Sequence, residues 1–226
     1  MDQIQMNDHA TNAFCLEDLS IDTVILCDGD FPTHPIPLNV LHRATHLCCC
    51  DGAGRHCLEK GITPWAIVGD GDSLGNEFRL RHADLFHLVS EQDDNDQTKA
   101  TRFCMKQGAR SVAYLGSTGK REDHTLGNIS LLVRYAREFH LRVVMLTDHG
   151  YFLPAQGRLS VKSFPRQQVS VFNVDCRQLS SQGLKWPITA FTSAWQGTLN
   201  EAEGHEVVIE GDGWFLVYAT YEAKQA

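Results

Sequence analysis

Little in this 226-residue chain suits a membrane, a nucleic acid or a zinc site. No apolar run approaches the roughly 20 residues of a bilayer span. Positive charge is scarce: 20 Lys and Arg against 28 Asp and Glu leave a formal net charge of -8. Neutralising a phosphate backbone needs a basic surface, so neither nucleic acid nor membrane is expected as a partner. No Cys-x-x-Cys pair occurs among the 8 cysteines, which removes the strongest zinc signature. Cys48, Cys49 and Cys50 run consecutively inside an apolar segment. Alternate residues of a strand face opposite ways, so these three cannot share one ion. They read as small buried hydrophobes in a reducing compartment. The opening stretch Met1–Ser20 is polar and acidic, without the basic-then-apolar layout of a secretory signal, and a cytoplasmic protein is expected.

What the chain does have is alternation. Apolar runs read as strands at Thr23–Cys27, His46–Cys50, Ala66–Val68, Phe86–Val89, Val112–Leu115 and Leu141–Leu146. Helical spacing separates them at Pro37–His46, Arg55–Lys60, Asp96–Gly108 and His124–His140. The last helix carries an apolar stripe of Leu126, Ile129, Leu132, Val133 and Ala136. His34, His42 and His46 are expected on a solvated helix face. Strand-helix alternation predicts a mainly parallel α/β/α domain over residues 1–147. From about Asp148–Gly150 onward only short strand candidates remain, including Tyr151–Leu153, Leu159–Lys162, Val169–Val174, Gly183–Trp186, Glu206–Glu210 and Trp214–Thr220. A small all-β sandwich domain over 148–226 follows.

Four loops follow strands or open helices, and each carries charge and small residues. They are Asp51-Gly-Ala-Gly54, Gly69-Asp-Gly-Asp-Ser73, Gln92-Asp-Asp-Asn-Asp96 with Lys99, and Gly116-Ser-Thr-Gly-Lys-Arg-Glu-Asp-His124. In a parallel sheet all these strand ends share one edge, where ligands bind. Asp70 and Asp72 repel unless a cation joins them, and hard carboxylate oxygens favour Mg²⁺. Lys99, Lys120 and Arg121, with the backbone amides of the last loop, suit polyphosphate oxygens. A single such loop reads equally well as a solvated connector. Four of them at one edge do not.

As a set these motifs resemble the thiamine pyrophosphokinase family. The residues that carry the likeness are Asp51-Gly-Ala, Ile67-Val-Gly-Asp-Gly-Asp-Ser73, Gln92-Asp-Asp-Asn-Asp96-x-x-Lys99, and Gly116-x-x-Gly-x-Arg-x-Asp-His-x-x-x-Asn128. A later run, Gly183-Leu-Lys-Trp-Pro187, matches too. The resemblance implies a nucleotide-binding α/β domain before a β-sandwich, a homodimer with active sites at its interface, and transfer of pyrophosphate from ATP to the hydroxyl of thiamine with release of AMP. Three positions depart from the family pattern: Gly71 replaces a common Phe, Gln97 an apolar residue, and Leu199 the usual Ser.

Under that resemblance Asp51, Asp70, Asp72 and Asp96 hold Mg²⁺, and Asp70, Asp72, Asp96 and Arg121 are the catalytic set. Asp96 and Asp72 are both candidates to receive the hydroxyl proton. Nucleotide contacts fall to Asp51, Ser73, Lys99, Thr118, Arg121, Asp123 and His124. Thiamine contacts fall to Gln92, Asp96, Trp186, Trp195, Thr198 and Asn200; an indole face suits the cationic thiazolium, though either Trp also suits β-core or interface packing. Trp65 and Trp214 read as packing. Two other classes compete. Ile25-Leu-Cys-Asp28-Gly-Asp30 resembles the nucleophile motif of haloacid-dehalogenase-like phosphatases, and a nucleotide sensor without turnover would keep the same loops. If Asp72 holds metal, Asp72→Asn loses orders of magnitude in turnover while melting near wild type. Near-normal turnover in that variant would remove Asp72 from the metal set.

Overall fold

The structure is a computed structural model and describes residues 13–21 and 23–224. Most of the acidic opening stretch Met1–Ser20 lies outside the described residues. The chain divides into two compact units, each discontinuous in sequence.

One unit comprises residues 20–154 and 216–222. Its strands β1 (Thr23–Leu26), β2 (His46–Cys50), β3 (Ala66–Gly69), β4 (Phe86–Leu88), β5 (Ser111–Leu115) and β6 (Arg142–Leu146) alternate with helices. The helices are α1 (Pro35–Arg43), α2 (Gly52–Glu59), α3 (Asn76–Arg81), α4 (Asp96–Lys106) and α5 (Glu122–Arg137). The strands lie in the order β4-β3-β2-β1-β5-β6, and every adjacent pair is parallel. All six carboxyl ends therefore lie on one edge, and the strand order reverses between β1 and β5. Burial on both faces explains why these strands read as unbroken apolar runs: Val24, Ile25, Cys48, Cys49, Ile67, Val68 and Ala113 are sealed from solvent. Helix α2 packs so closely on β3 that a Cβ on Gly54 would lie 2.6 Å from Ile67 Cδ1. The glycine at that site is required by close approach rather than by a turn.

Helix α4 buries polar side chains on its inner face, and each has a partner. Thr98 Oγ1 lies 2.7 Å from Tyr135 Oη, and Thr101 Oγ1 lies 2.9 Å from Tyr114 Oη. The two tyrosine rings stack at 5.4 Å, and burial pushes both phenols above their ordinary range. Satisfied in this way, a polar helix face is compatible with the core.

Strands β7 (Gly150–Lys162) and β11 (Glu206–Ala223) contribute residues to both units. The start of β7 pairs antiparallel with β6, Met145 opposite Phe152. The second unit holds residues 155–215 and 223–224 with the described part of the first nineteen residues. Here β8 (Gln167–Asn173) pairs antiparallel with β10 (Asn200–Glu201), and β9 (Leu179–Gln182) pairs antiparallel with β11. A parallel bridge joins Phe14 to Val161.

The molecule is a mixed α/β protein, and several local expectations need correction. Tyr151–Leu153 and Leu159–Lys162 belong to the single strand β7, and Glu206–Glu210 and Trp214–Thr220 to the single strand β11. Glycines that suggest a turn instead allow close approach there: a Cβ on Gly211 would lie 2.8 Å from Cys176 Sγ. Gly183–Trp186 makes only an isolated bridge, Leu184 to Ala202. Helix α3 is missing from the sequence reading because six residues with none buried leave no periodic signal. His34 caps α1 and stacks on Tyr221 at 4.7 Å, while His46 opens β2 and packs on Trp65. Only His42 lies on the exposed helix face. Leu126 is 70% exposed, and Tyr135 takes part in the core in its stead.

Candidate functional site

At the carboxyl edge of the parallel strands a cleft of about 730 Å³ opens, a size typical of small-molecule sites. Cys27–Gly29 after β1, Cys50–Gly52 after β2, Asp70 and Ser73 after β3, Gln92–Gln97 after β4, and residues of 117–128 after β5 all line it. Parallel register alone brings them together, since each loop leaves its strand at the same edge. Of the residues singled out from sequence, Asp51, Asp70, Ser73, Gln92, Asp96, Lys99, Arg121, Asp123 and His124 line this cleft.

Lys99 is the electrostatic centre. It sits one turn into α4, is 4% exposed, and places Nζ 3.3 Å from both Asp70 Oδ2 and Asp96 Oδ1. Gln92 Nε2 donates to the same Asp70 oxygen at 3.3 Å. Burial alone would lower the Lys99 ammonium, but the two carboxylates override it and hold it above its ordinary range. Asp70 falls below the usual carboxylate range, through the Asp72 amide first and then Gln92 and Lys99. Asp96 rises above it, because burial and the charges of Asp70 and Asp51 outweigh Lys99. Two neighbouring carboxyls thus have opposite tendencies, the pattern expected where one stays ionised and the other handles a proton.

Asp51 has a backbone φ of +31°, a conformation that non-glycine residues avoid and that clusters at functional sites. Its Oδ2 accepts from the Ser73 amide at 3.2 Å and from the Ser73 hydroxyl. Its Oδ1 is buried with no partner among the described residues. An orphaned buried carboxylate oxygen beside two other carboxyls fits a hard divalent cation. No three His, Cys, Asp or Glu side chains among the described residues stand close enough to hold a metal by themselves. Mg²⁺ commonly takes one or two carboxylates and completes its shell with water and phosphate oxygens, so the donor set present is sufficient.

The loop after β5 brings two cations to the cleft, each paired with a carboxylate. Arg121 grips Asp123 through two bonds, Nε to Oδ1 at 3.0 Å and Nη2 to Oδ2 at 2.6 Å, and the His124 amide donates to Asp123. Lys120 Nζ lies 3.1 Å from Asp28 Oδ1, which also faces His56 Nδ1 at 3.5 Å. Asn128 joins three segments: it accepts from Asn95 Nδ2 at 2.9 Å, donates to the Ser117 carbonyl at 2.9 Å, and takes Gln97 Nε2 on its own carbonyl. Asp28 entered the sequence reading only through the competing phosphatase motif, and Asp94 and Asn128 only as parts of the family motifs, without a site role of their own. The strand-end rule that selected Asp51 and Asp70 applies equally to Asp28 after β1.

Two expected residues stand outside this lining. The Asp72 side chain is exposed, and its amide donates to Asp70 Oδ1 at 3.2 Å. Thr118 is spent on the backbone, its carbonyl accepting from the Asp30 amide at 2.8 Å. The remaining four belong to the other unit. There Asn200 braces Trp186 by side-chain bonds to its amide and carbonyl at 3.1 and 2.6 Å. Thr198 Oγ1 donates to the Trp195 carbonyl at 2.6 Å. Trp195 is 75% exposed and Trp186 about half, with Lys185 Nζ 4.6 Å above the Trp186 ring.

Residues 38–145 match the family model described as the thiamin pyrophosphokinase catalytic domain, and residues 150–218 match its substrate-binding domain. The chain belongs to the thiamin pyrophosphokinase family. Thiamin pyrophosphokinase 1 of Caenorhabditis elegans is 29% identical over 106 residues, 43% of each chain. Thiamine pyrophosphokinase of Bacillus subtilis is 28% identical over 138 residues, 58% of this chain and 64% of that protein. The matched segments therefore span less than two thirds of these curated relatives. In fold, the crystal structure of the Bacillus subtilis protein aligns with a TM-score of 0.72 at 19% identity, over 88% of this chain and 99% of that one. A Candida albicans thiamin pyrophosphokinase gives the same score at 14% identity, over 88% and 90%.

The three departures from the thiamin pyrophosphokinase pattern have local accounts. Gly71 has φ +79°, and a Cβ there would lie 2.7 Å from Arg79 Cδ and 3.0 Å from Phe86 Cζ, so these side chains fill the space. Gln97 is buried but satisfied, donating to the Asn128 carbonyl and accepting from the Cys27 thiol at 3.4 Å. Leu199 is 69% exposed with φ +64°. Nothing in the structure explains a leucine at that strained position.

Lys99→Met leaves Asp70 and Asp96 facing each other unpaired. The stability that Lys99 lends ionised Asp70 is present above that group's unfolded pKa, and Asp96, raised further, then opposes folding as pH climbs. The variant should lose about 1–3 kcal/mol at pH 7.5, discounted for the partial exposure of both acids, and much less near pH 4. Denaturant melts at the two pH values check this; a deficit independent of pH contradicts it.

Proposed function

We propose that the chain is a thiamine diphosphokinase, moving the terminal pyrophosphoryl group of ATP to the hydroxyethyl oxygen of thiamine and releasing AMP. The observation that carries this reading is Lys99 held between Asp70 and Asp96 at the end of a parallel sheet, beside the orphaned Asp51 oxygen. The thiamine oxygen attacks the β-phosphorus while the bridge to the α-phosphate breaks. Such transfers ask the protein for positioning and charge stabilisation rather than covalent work.

Lys99 and Arg121, with Lys120, neutralise charge on the transferred and leaving phosphates. Asp123 fixes the Arg121 guanidinium, and Ser73 and His124 add nucleotide contacts; Thr118, outside the cleft lining, has no part in the contact set. Asp96, lifted by burial, receives the hydroxyl proton in preference to the exposed Asp72. Asp51 and Asp70 would hold Mg²⁺, with Asp96 and Asp72 near enough to share it through water. Bound there, it would supply positive charge that offsets the negative charge of the phosphates. We assign residues 1–147 to ATP and Mg²⁺ and the sandwich of residues 148–226 to thiamine and dimerisation. Gln92, Trp186, Trp195, Thr198 and Asn200 would contact the vitamin, and two copies would form active sites at their interface. A cytoplasmic setting suits the eight free cysteines, and no helix among the described residues is long and apolar enough to cross a membrane.

Incubation with ATP, Mg²⁺ and thiamine should yield AMP and thiamine diphosphate in equal amounts, and Asp70→Asn should lose about 10²-fold or more in turnover. Free phosphate without AMP would support the phosphatase reading. Binding without product would support the sensor.

A further inference from the structure

The acidic loop between β4 and α4 supplies Gln92 and Asp96 to the cleft, yet between them lies a charge that the chemistry above does not use. Asp94 has a side chain only 13% exposed, and each of its carboxylate oxygens is taken by an arginine from a different helix. Arg102 Nε of α4 lies 2.8 Å from Oδ2, and Arg134 Nη1 of α5 lies 2.9 Å from Oδ1. The arginines are themselves fixed. Both guanidinium carbons sit over the Phe139 ring, at 4.8 and 5.4 Å, and Arg134 Nε also donates to Glu138 at 3.1 Å. Phe139 in turn stacks on the buried Tyr135 at 5.6 Å.

Asp94 is largely withdrawn from water, which is costly, while Arg102 and Arg134 stay 46% and 33% exposed; an apolar residue at position 94 would avoid that cost. What the ion cluster adds is direction, because a carboxylate shared by two planar guanidinium groups has one orientation. Asp94 is two residues from Gln92 and two from Asp96, so a fixed Asp94 restrains the loop that carries both.

We propose that Arg102 and Arg134, acting through Asp94, are positioning residues that hold the acidic loop so that Gln92 and Asp96 meet Asp70 and Lys99. This rests on the diphosphokinase reading. A loop displaced by an ångström costs a large part of the rate in a reaction that depends on alignment. The clamp does not touch the Lys120–Arg121 loop, so nucleotide affinity should be spared.

The test is a double-mutant cycle with Asp94→Asn, Arg134→Met and their combination. Each single variant should lose about 10-fold or more in kcat while the KM for ATP stays within about twofold. The double variant should be no worse than the poorer single one. Amides of residues 91–96 should exchange with solvent about tenfold faster in each variant, with protection elsewhere unchanged. Unchanged kcat, or losses that multiply in the double variant, would overturn the proposal. If the wild-type protein makes no thiamine diphosphate, the functional reading fails by itself. The exchange of the 91–96 amides then decides the clamp, unchanged rates refuting it.

Discussion

One buried ammonium organises this protein's chemistry. Lys99 is almost sealed from water, and it is tolerable there only because Asp70 from one strand end and Asp96 from the start of its own helix reach it at equal distance. The arrangement requires β3 to end where α4 begins, which a parallel sheet guarantees. It also sets neighbouring carboxyls apart: Asp70 is drawn down and Asp96 pushed up by the same small group of charges.

Around that centre the structure spends polar groups on alignment. Asn128 binds the loop before α4 to the loop after β5, and Gln97 adds a second tie to the Asn128 carbonyl. Asp51 is held by Ser73 through one oxygen and left bare on the other. Asp94 is clamped by two arginines. Each of these groups is polar, partly or fully buried, and tied to a segment other than its own. Such ties hold several short loops in one geometry, which is what electrostatic preorganisation asks of a scaffold.

Much of this was legible in the sequence because parallel sheets carry strong signals. Fully buried strands appear as apolar runs, and their carboxyl ends announce themselves by the sudden change to Asp, Gly and Lys. The strand His46–Cys50 and the helix starting at Asp96 were readable to the residue. What escaped had physical reasons. Helix α3 is too short and exposed for periodicity, and glycines in β11 mark close contacts rather than turns. Asp28, Asp94 and Asn128 stand within motifs of the sequence, but their ties to Lys120, Arg134 and Asn95 span 92, 40 and 33 residues, so their roles emerge only in the fold. Asp72, by contrast, stood out in the sequence yet faces solvent.

A crystal structure of the protein with Mg²⁺, thiamine and a non-hydrolysable ATP analogue addresses the central claim most directly. The account predicts the β- and γ-phosphates within contact of Lys99, with the metal on Asp70 and the free oxygen of Asp51. Phosphates bound away from Lys99, or a metal that leaves Asp51 and Asp70 untouched, would contradict it.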